Sequence, residues 1–358
     1  MTKEPDNPRP TLTTIAKMLG VSRATVSNAY NHPDQLSPAL RQRVMKAADQ
    51  IGYSGPNPAA ATLRGSKVGV IGVFFEDPAT YAFTDPAETG FVSGIAKVCD
   101  NHDVGILISP GDQASSLMNR ALIDGCIMHI DRKCDPRLAT ALRRDIPLVL
   151  VDGNGESMTS VGIDDRSAAA SAARHLRELG HQSVGIITTN LGFTSRLAWI
   201  QSADDVETDY DVARFRLAGY LEGLHSPTNA SHEAVPVVLS SGPDPREAGA
   251  RGLQLLMSQT SSNVTAVLCM SDEIAAGAFE EARELGLDIP RDLSIVGFDD
   301  TSTAESLGLS SVHQDHQRKG ELAATFLLTG QHDTGGRTDL PTYLIPRKST
   351  GPCPTGHR

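Results

Sequence analysis

Side chains able to read DNA bases stand close together near the start of the chain. Arg23, Ala24 and Asn28 occupy one face of a short helical run from Arg23 to Tyr30. A guanidinium suits guanine O6 and N7, an amide suits adenine N6 and N7, and a methyl group can touch thymine. Ser22, Thr25, Ser27 and Asn31 carry short hydroxyls and amides suited to phosphate oxygens, which position a protein on DNA without specifying sequence. A second set of reactive groups stands at the ends of apolar runs. Asp152 closes IPLVLVD, Asp272 closes CMSD and Asp299 lies in GFDD. Strand C-termini are where open α/β sheets bind ligands. The competing reading of each aspartate is a helix N-cap or a surface ion pair.

The elements that hold the first set are legible. Leu12, Ile15, Ala16 and Leu19 repeat at helical spacing, with Thr11 placed to cap them. Gly20 breaks that helix, Val21 points back at it, and Ser22 caps the next, whose inner face carries Val26 and Ala29. Two short helices around a Gly-containing turn form a helix-turn-helix, whose second helix enters the major groove. Ser37-Pro38 starts a third helix with Leu40, Val44, Ala47 and Ile51 on one face and Gly52 at its end. Then come Gly55-Pro56-Asn57-Pro58, a breaker cluster, and AAATLR. Asn57 can cap and Pro58 can start about two turns through Arg64. So short a helix is marginal alone, and it is expected to form only on DNA.

From Lys67 the pattern becomes alternating strand and helix. Apolar runs at 68–75, 104–111, 124–131 and 146–153 read as strands, with helices at 88–103, 116–122 and 136–144 between them. The unit repeats in kind, with helices at 166–180, 210–223, 245–258 and 273–286 alternating with strands at 183–190, 235–240, 264–272 and 293–300. Such alternation predicts parallel sheets covered by helices on both faces.

TIAKMLGVSRATVSNAYN, LSPALRQRVMKAADQIGY and GPNPAAATLR, in that order, resemble the lactose-repressor (LacI/GalR) family of bacterial transcription regulators. The likeness covers head and hinge and, more loosely, most of the remaining chain. It implies an α/β protein: a three-helix helix-turn-helix head (1–54), a hinge helix (55–66), and a two-lobe body like periplasmic binding proteins (67–358). The resemblance divides the body into one lobe of about 67–164 plus 315–340 and another of about 165–314 plus 341–353. It places Asn57, Ala60 and Leu63 on DNA, with Leu63 as an apolar wedge that opens a minor-groove base step. The effector-binding candidates are Phe75, Tyr81, Asp152, Arg216, Ser271, Asp272, Asp299 and Gln314, of which the resemblance itself implies Asp152, Arg216, Asp272 and Asp299. Position 271 is Ser where many relatives carry Asn. The implied partners are a pseudo-palindromic double-stranded operator, a sugar-like or nucleoside-like effector and a second copy of the chain; no cofactor is implied.

Composition fits this reading. The net charge is −11, yet residues 1–67 hold nine Lys/Arg against four Asp/Glu, leaving +5 there and −16 on the rest. That asymmetry suits a basic DNA-binding head on an acidic body. Five scattered cysteines without framework spacing suggest reduced thiols in a cytoplasm. Cys126 and His129 fall on opposite faces of a strand, which argues against a shared metal. MTKEPDNPRP is polar and proline-rich, unlike a signal peptide, and no apolar run is long enough to span a membrane. Glycine-rich nucleotide loops, GxSxG and HExxH are all missing, which excludes the commoner enzyme classes. The rival function is a solute receptor without a regulatory role. Two long segments, 76–90 with Tyr81 and Phe83, and 191–212 with Trp199, read as loops whose aromatics either stack on a ligand or staple the loops. The tail TGPCPTGHR lacks heptads, which favours a dimer over a tetramer.

Overall fold

In a computed structural model the chain divides into two units, residues 1–68 and 69–358. The structure describes residues 10–31, 33–53, 67–76, 78–109, 114–129, 135–153, 158–191, 195–225, 234–240, 242, 244–259 and 264–354. The hinge stretch with Asn57, Ala60 and Leu63 lies outside them, as does Cys134.

In the first unit Thr11 caps α1 (Leu12–Leu19) through a reciprocal pair of bonds with Thr14. Gly20 ends it at φ 67°, a left-handed conformation that costs glycine nothing. Helix α2 is Arg23–Asn31 and α3 is Pro38–Gln50, capped by Ser37 with Pro38 in the first turn. Ile15, Ala16, Val26, Ala29, Val44, Ala47 and Ala48 are buried together. Tyr30 and Tyr53 close one side of this small core edge to face, 6.0 Å apart.

The second unit holds two sheets. The first is β1 (Val70–Phe74), β2 (Gly105–Ser109), β3 (Gly125–His129), β4 (Leu148–Val151), β5 (Ser160–Ile163) and, from far along the chain, β12 (Arg337–Leu340). Their spatial order is β12-β5-β4-β3-β1-β2, all parallel. Apolar layers cover both faces, as a parallel sheet requires. Helices α4 (Tyr81–Thr84), α5 (Pro86–His102), α6 (Ala114–Arg120) and α7 (Pro136–Arg143) belong to this lobe, together with α13 (His316–Leu328).

The second sheet is β6 (Val184–Asn190), β7 (Arg196–Ile200), β8 (Val235–Ser240), β9 (Ala266–Cys269), β10 (Ser294–Asp299), β11 (Ser310–His313) and β13 (Tyr343–Ile345), in the order β13-β11-β10-β9-β6-β8-β7. Only its two edge strands run antiparallel. Its helices are α8 (Asp165–Glu178), α9 (Asp211–Leu224), α10 (Pro245–Gln259), α11 (Asp272–Glu284) and α12 (Ser302–Leu307). The chain thus crosses between lobes three times, at 163–165, 313–316 and 340–343.

Both long segments read as loops contain structure. Asp85 caps α5 with Pro86 in its first turn, so that helix starts two residues earlier than predicted. The 191–212 stretch forms edge strand β7 and a 3-10 turn, Ala203–Asp205. Trp199 stands half exposed on β7, paired opposite Pro236, and does not face a cleft. Phe83 is largely exposed.

Candidate functional site

The head presents α2. Ser22 Oγ accepts from Thr25 N at 3.0 Å and meets Thr25 Oγ1 at 2.9 Å, which fixes the helix start. Arg23 and Ala24 are exposed in the first turn, and Thr25, Ser27 and Asn28 are half-buried. Asn28 Nδ2 donates to Gln35 Oε1 at 3.0 Å, so its amide is already aimed by a neighbour that sequence reading overlooked. Asn31 ends the helix. Val26 and Ala29 turn inward and leave the opposite side free to meet DNA.

In the body, strand ends from both sheets converge on a cavity of about 430 Å³ between the lobes. Asp152 follows β4, Asp299 ends β10, His129 ends β3, and Gln314 follows β11. Asp152 and Asp299 hold φ of 60° and 110°. Such conformations cost a non-glycine residue about 1–3 kcal/mol and collect at functional sites.

The polar groups form one connected chain across the lobes. Lys319, on α13, is 2% exposed. Its Nζ donates to both Asp152 oxygens at 2.8 and 3.0 Å and to Gln314 Oε1 at 2.8 Å, which uses all three protons. Gln314 Nε2 donates to Asp299 Oδ1 at 2.6 Å. On the other side, His129 Nε2 lies 3.0 Å from Asp152 Oδ2, and its Nδ1 lies 3.5 Å from Glu88 Oε1. Arg216, from α9, donates Nε to Asp165 Oδ1 at 2.8 Å and a terminal nitrogen to the Met270 carbonyl at 2.6 Å. The same nitrogen is 4.0 Å from Asp299 Oδ1, and the guanidinium lies 3.7 Å over the Phe298 ring.

These neighbours set the charges. Burial works against ionised Asp152, but the Lys319 ammonium and His129 hold its carboxyl far below the usual range. Burial likewise opposes a charged His129, yet Glu88 and Asp152 raise it to about 9. Burial also raises Asp165, more than Arg216 beside it lowers it. Asp85 is pushed up to about 7 by burial, with Asp299, Glu88 and Glu273 adding repulsion.

Asp85 gives a pH prediction. A raised carboxyl keeps its proton in the folded state while the unfolded chain has lost it. That group therefore costs stability progressively from about pH 4 to pH 7 and a constant amount above. Asp85→Asn keeps the oxygen that accepts from Ala87 and Glu88 N, and so keeps the cap. The variant should match the wild type at pH 4.5 and exceed it at pH 8 by about 1–2 kcal/mol in denaturant melts. Equal stability at both pH values would refute the assignment.

Of the predicted effector residues, Tyr81, Asp152, Arg216, Ser271, Asp299 and Gln314 line the cavity. Phe75 and Asp272 do not. Phe75 is buried and packs edge-on to Phe91 and His129, both at 6.1 Å, so it supports the wall from behind. Ser271 takes the N-cap of α11, which puts Asp272 in the first helical turn, facing inward. There its Oδ2 accepts from Thr301 N at 2.7 Å and its Oδ1 from Ser311 Oγ at 2.6 Å. Burial and the Asp299 charge push it up to about 8. Asp272 thus ties α11 to β11 and to the start of α12.

As cleft residues, sequence reading passed over Asp85, Glu88, Asp165, His316 and Lys319, and it weighed His129 only as a metal ligand. Asp85-Pro86 carried a cap signal, and His129 ended an apolar run. Lys319 sits in the polar stretch HQRKGE and gave no sign of burial. His129 and Cys126 do face opposite sides of β3, and among the described residues no His/Cys/Asp/Glu group could hold a metal ion. No helix among them is long and apolar enough to cross a membrane.

Residues 11–57 match the family described as bacterial regulatory proteins, lacI family, and residues 173–350 match a periplasmic binding protein-like domain. An HTH-type transcriptional regulator of Mycobacterium tuberculosis is 34% identical over 358 residues, 96% of this chain and 98% of its own. The crystal structure of a LacI-family regulator from Corynebacterium glutamicum aligns with a TM-score of 0.69 at 30% identity, over 96% of this chain and 100% of that one. The complex of the transcriptional regulator CelR with cellobiose aligns at 0.65 and 25% identity, over 95% and 100%.

Proposed function

The chain belongs to the LacI family of bacterial transcription regulators, and from that premise we propose that α2 reads operator bases while the interlobe cleft binds an uncharged, hydroxyl-rich effector. Repression under small-molecule control is supported by relatives described as repressors and by sugar complexes of similar regulators. The effector class rests on one observation: among the described residues, the lysine and arginine of the cleft are already paired. Lys319 is saturated by Asp152 and Gln314, and Arg216 is held by Asp165 and the Met270 carbonyl. His129 stands between Glu88 and Asp152. Asp85, Glu88, Asp152 and Asp299 all line the same cavity. Among the described residues a phosphate entering would meet these carboxylates and no unpaired lysine or arginine, with His316 Nε2 itself 3.6 Å from Asp299 Oδ1. Hydroxyls donate to carboxylates, and the Phe91 and Tyr210 rings in the wall suit the apolar face of a sugar or nucleoside. CelR, a relative, binds cellobiose.

The DNA-reading residues are Arg23, Ala24 and Asn28 for bases, with Ser22, Thr25, Ser27 and Asn31 on phosphates. In this reading two copies bind a pseudo-palindrome, since two-fold protein symmetry needs two-fold sites. The hinge residues Asn57, Ala60 and Leu63 then complete the contact in the minor groove. Effector binding in the cleft changes the angle between lobes, and operator affinity follows through its different affinity for the two states.

The deciding experiment is a thermal-shift screen of the full chain against sugars, polyols and nucleosides beside their phosphate esters. An unphosphorylated compound should raise the melting temperature and release operator DNA, and its ester should do neither; a phosphorylated hit sinks the effector class. Two substitutions test the residues. Asp299→Asn should weaken the hit at least tenfold and leave operator affinity unchanged; full retention of the response would remove Asp299 from the site. Arg23→Ala should cost about 1–3 kcal/mol on the preferred operator and relax preference at one base position per half-site. A uniform loss across all sequences would recast Arg23 as a phosphate contact.

A further inference from the structure

A second concave face lies outside the cleft, on the surface of α8 and α9. It encloses about 760 Å³ and is lined by residues of three elements. Helix α8 supplies Arg166, Arg174 and Arg177, whose spacing puts them on one stripe. At 1.5 Å per residue that stripe runs for about 16 Å. Helix α9 supplies half-buried Phe215 and Ala218 as an apolar strip, with buried Leu221 at its floor. The turn before α9 supplies Gln201 to Asp204. This turn opens the most acidic run of the chain, DDVETDYD, in which Asp204, Asp205, Glu207 and Asp209 are exposed.

Charges of both signs are unspent here. Arg166 pairs with Glu222 at 2.9 Å and Arg214 with Asp211 at 3.0 Å. Arg177 donates to the His225 carbonyl, and neither Arg174 nor Arg177 has a carboxylate partner among the described residues. Asp204, Glu207 and Asp209 have no cationic partner among them either. An apolar strip bordered by unneutralised arginines from α8 and unneutralised carboxylates from the neighbouring turn is complementary to itself. Arg177 reaches the C-terminal end of α9 and the acidic run precedes its N-terminal end, so a two-fold axis crossing α9 at right angles would set apolar strip on apolar strip and bring each copy's arginine end to the other's acidic end. An isologous contact needs such self-complementarity. A phosphate-bearing ligand fits less well, because Asp204 and Glu222 line the same face and the stripe is far longer than one phosphate.

We propose that this α8–α9 face is a salt-sensitive contact between two copies of the chain, held by Arg174 and Arg177 of each copy against the acidic run 204–209 of the other. It adds to whatever association operator binding requires, and it depends neither on the effector nor on the cleft.

The test is the mass of the full chain by light scattering at about 50 µM, in 50 mM and in 500 mM salt, since exposed ion pairs are screened over this range. The wild type should be twice as heavy at low salt as at high salt. Arg174→Glu with Arg177→Glu should keep the high-salt mass throughout, and so should Glu207→Lys with Asp209→Lys. An equimolar mixture of the two double variants should regain the heavier species at low salt, because each then offers what the other lacks. Arg174, Glu207 and Asp209 are exposed and Arg177 is half-buried, and unchanged melting curves would show that folding is intact. A wild-type mass that ignores salt, or a mixture that stays light, overturns the proposal.

Discussion

Lys319→Met should destabilise the body by about 3–5 kcal/mol, the usual consequence of stripping one partner from a buried ion pair. Methionine fills much of the same volume, so the loss is electrostatic rather than a cavity. Three hydrogen bonds go at once, two from Nζ to Asp152 and one to Gln314, which cuts Asp152 off from the Gln314–Asp299 pair. His129 compensates only in part. The pH dependence reverses sign at this residue. In the wild type Asp152 is depressed, so its contribution is fully present above the ordinary carboxylate range and lost only in acid. Without the ammonium, burial dominates and raises Asp152, so the variant loses stability as pH rises. The gap between wild type and variant, read from denaturant melts, should be smallest at pH 5 and widen toward pH 8. A gap under about 1 kcal/mol at pH 8, or one that narrows with pH, would show that Lys319 does not hold the cleft together. The same variant should lose its effector response, because the chain of bonds from one lobe to the other is cut.

What the sequence made legible, and what it hid, follows from the range of each interaction. The head was readable because its determinants are local: Thr11, Gly20, Ser22, Ser37 and Gly52 act within one helical turn of where they stand. Strands β1 to β4 were readable as apolar runs for the same reason. Edge strand β7 was missed because RLAWI is short, mixed and half exposed, and only its pairing with β8 makes it a strand. The cleft was partly legible. Strand-end aspartates are visible in a sequence, but which oxygen faces the cavity depends on capping one residue away. Ser271 took the cap and turned Asp272 into the interior. Lys319 was invisible because a lysine in a polar stretch is nearly always solvated. Its burial depends on Asp152, 167 positions earlier, and on α5 packing beside α13.

That packing decides where the cleft side chains stand, and two glycines set it. A Cβ on Gly94 of α5 would lie 2.0 Å from the Gln317 carbonyl oxygen, and one on Gly320 of α13 would lie 2.1 Å from the Phe91 carbonyl oxygen. Both obstacles are backbone, so no side chain can swing aside and the helices themselves must separate. Gly94→Ala and Gly320→Ala should each cost at least the upper part of the usual overpacking range, about 3 kcal/mol, despite the gain in helix propensity of about 1 kcal/mol that alanine brings. The double variant should cost clearly less than the two single losses together, because one separation of α5 from α13 relieves both clashes. Strict additivity would mean that each site yields locally and the helices keep their distance. Separation also has a functional reading. Asp85, Glu88 and Phe91 ride on α5 and Lys319 on α13, so moving the helices apart draws Lys319 away from Asp152. Each glycine variant should therefore weaken the effector by at least tenfold at a temperature where the protein remains folded. Operator binding without effector should stay intact, since it does not need the cleft closed around a ligand.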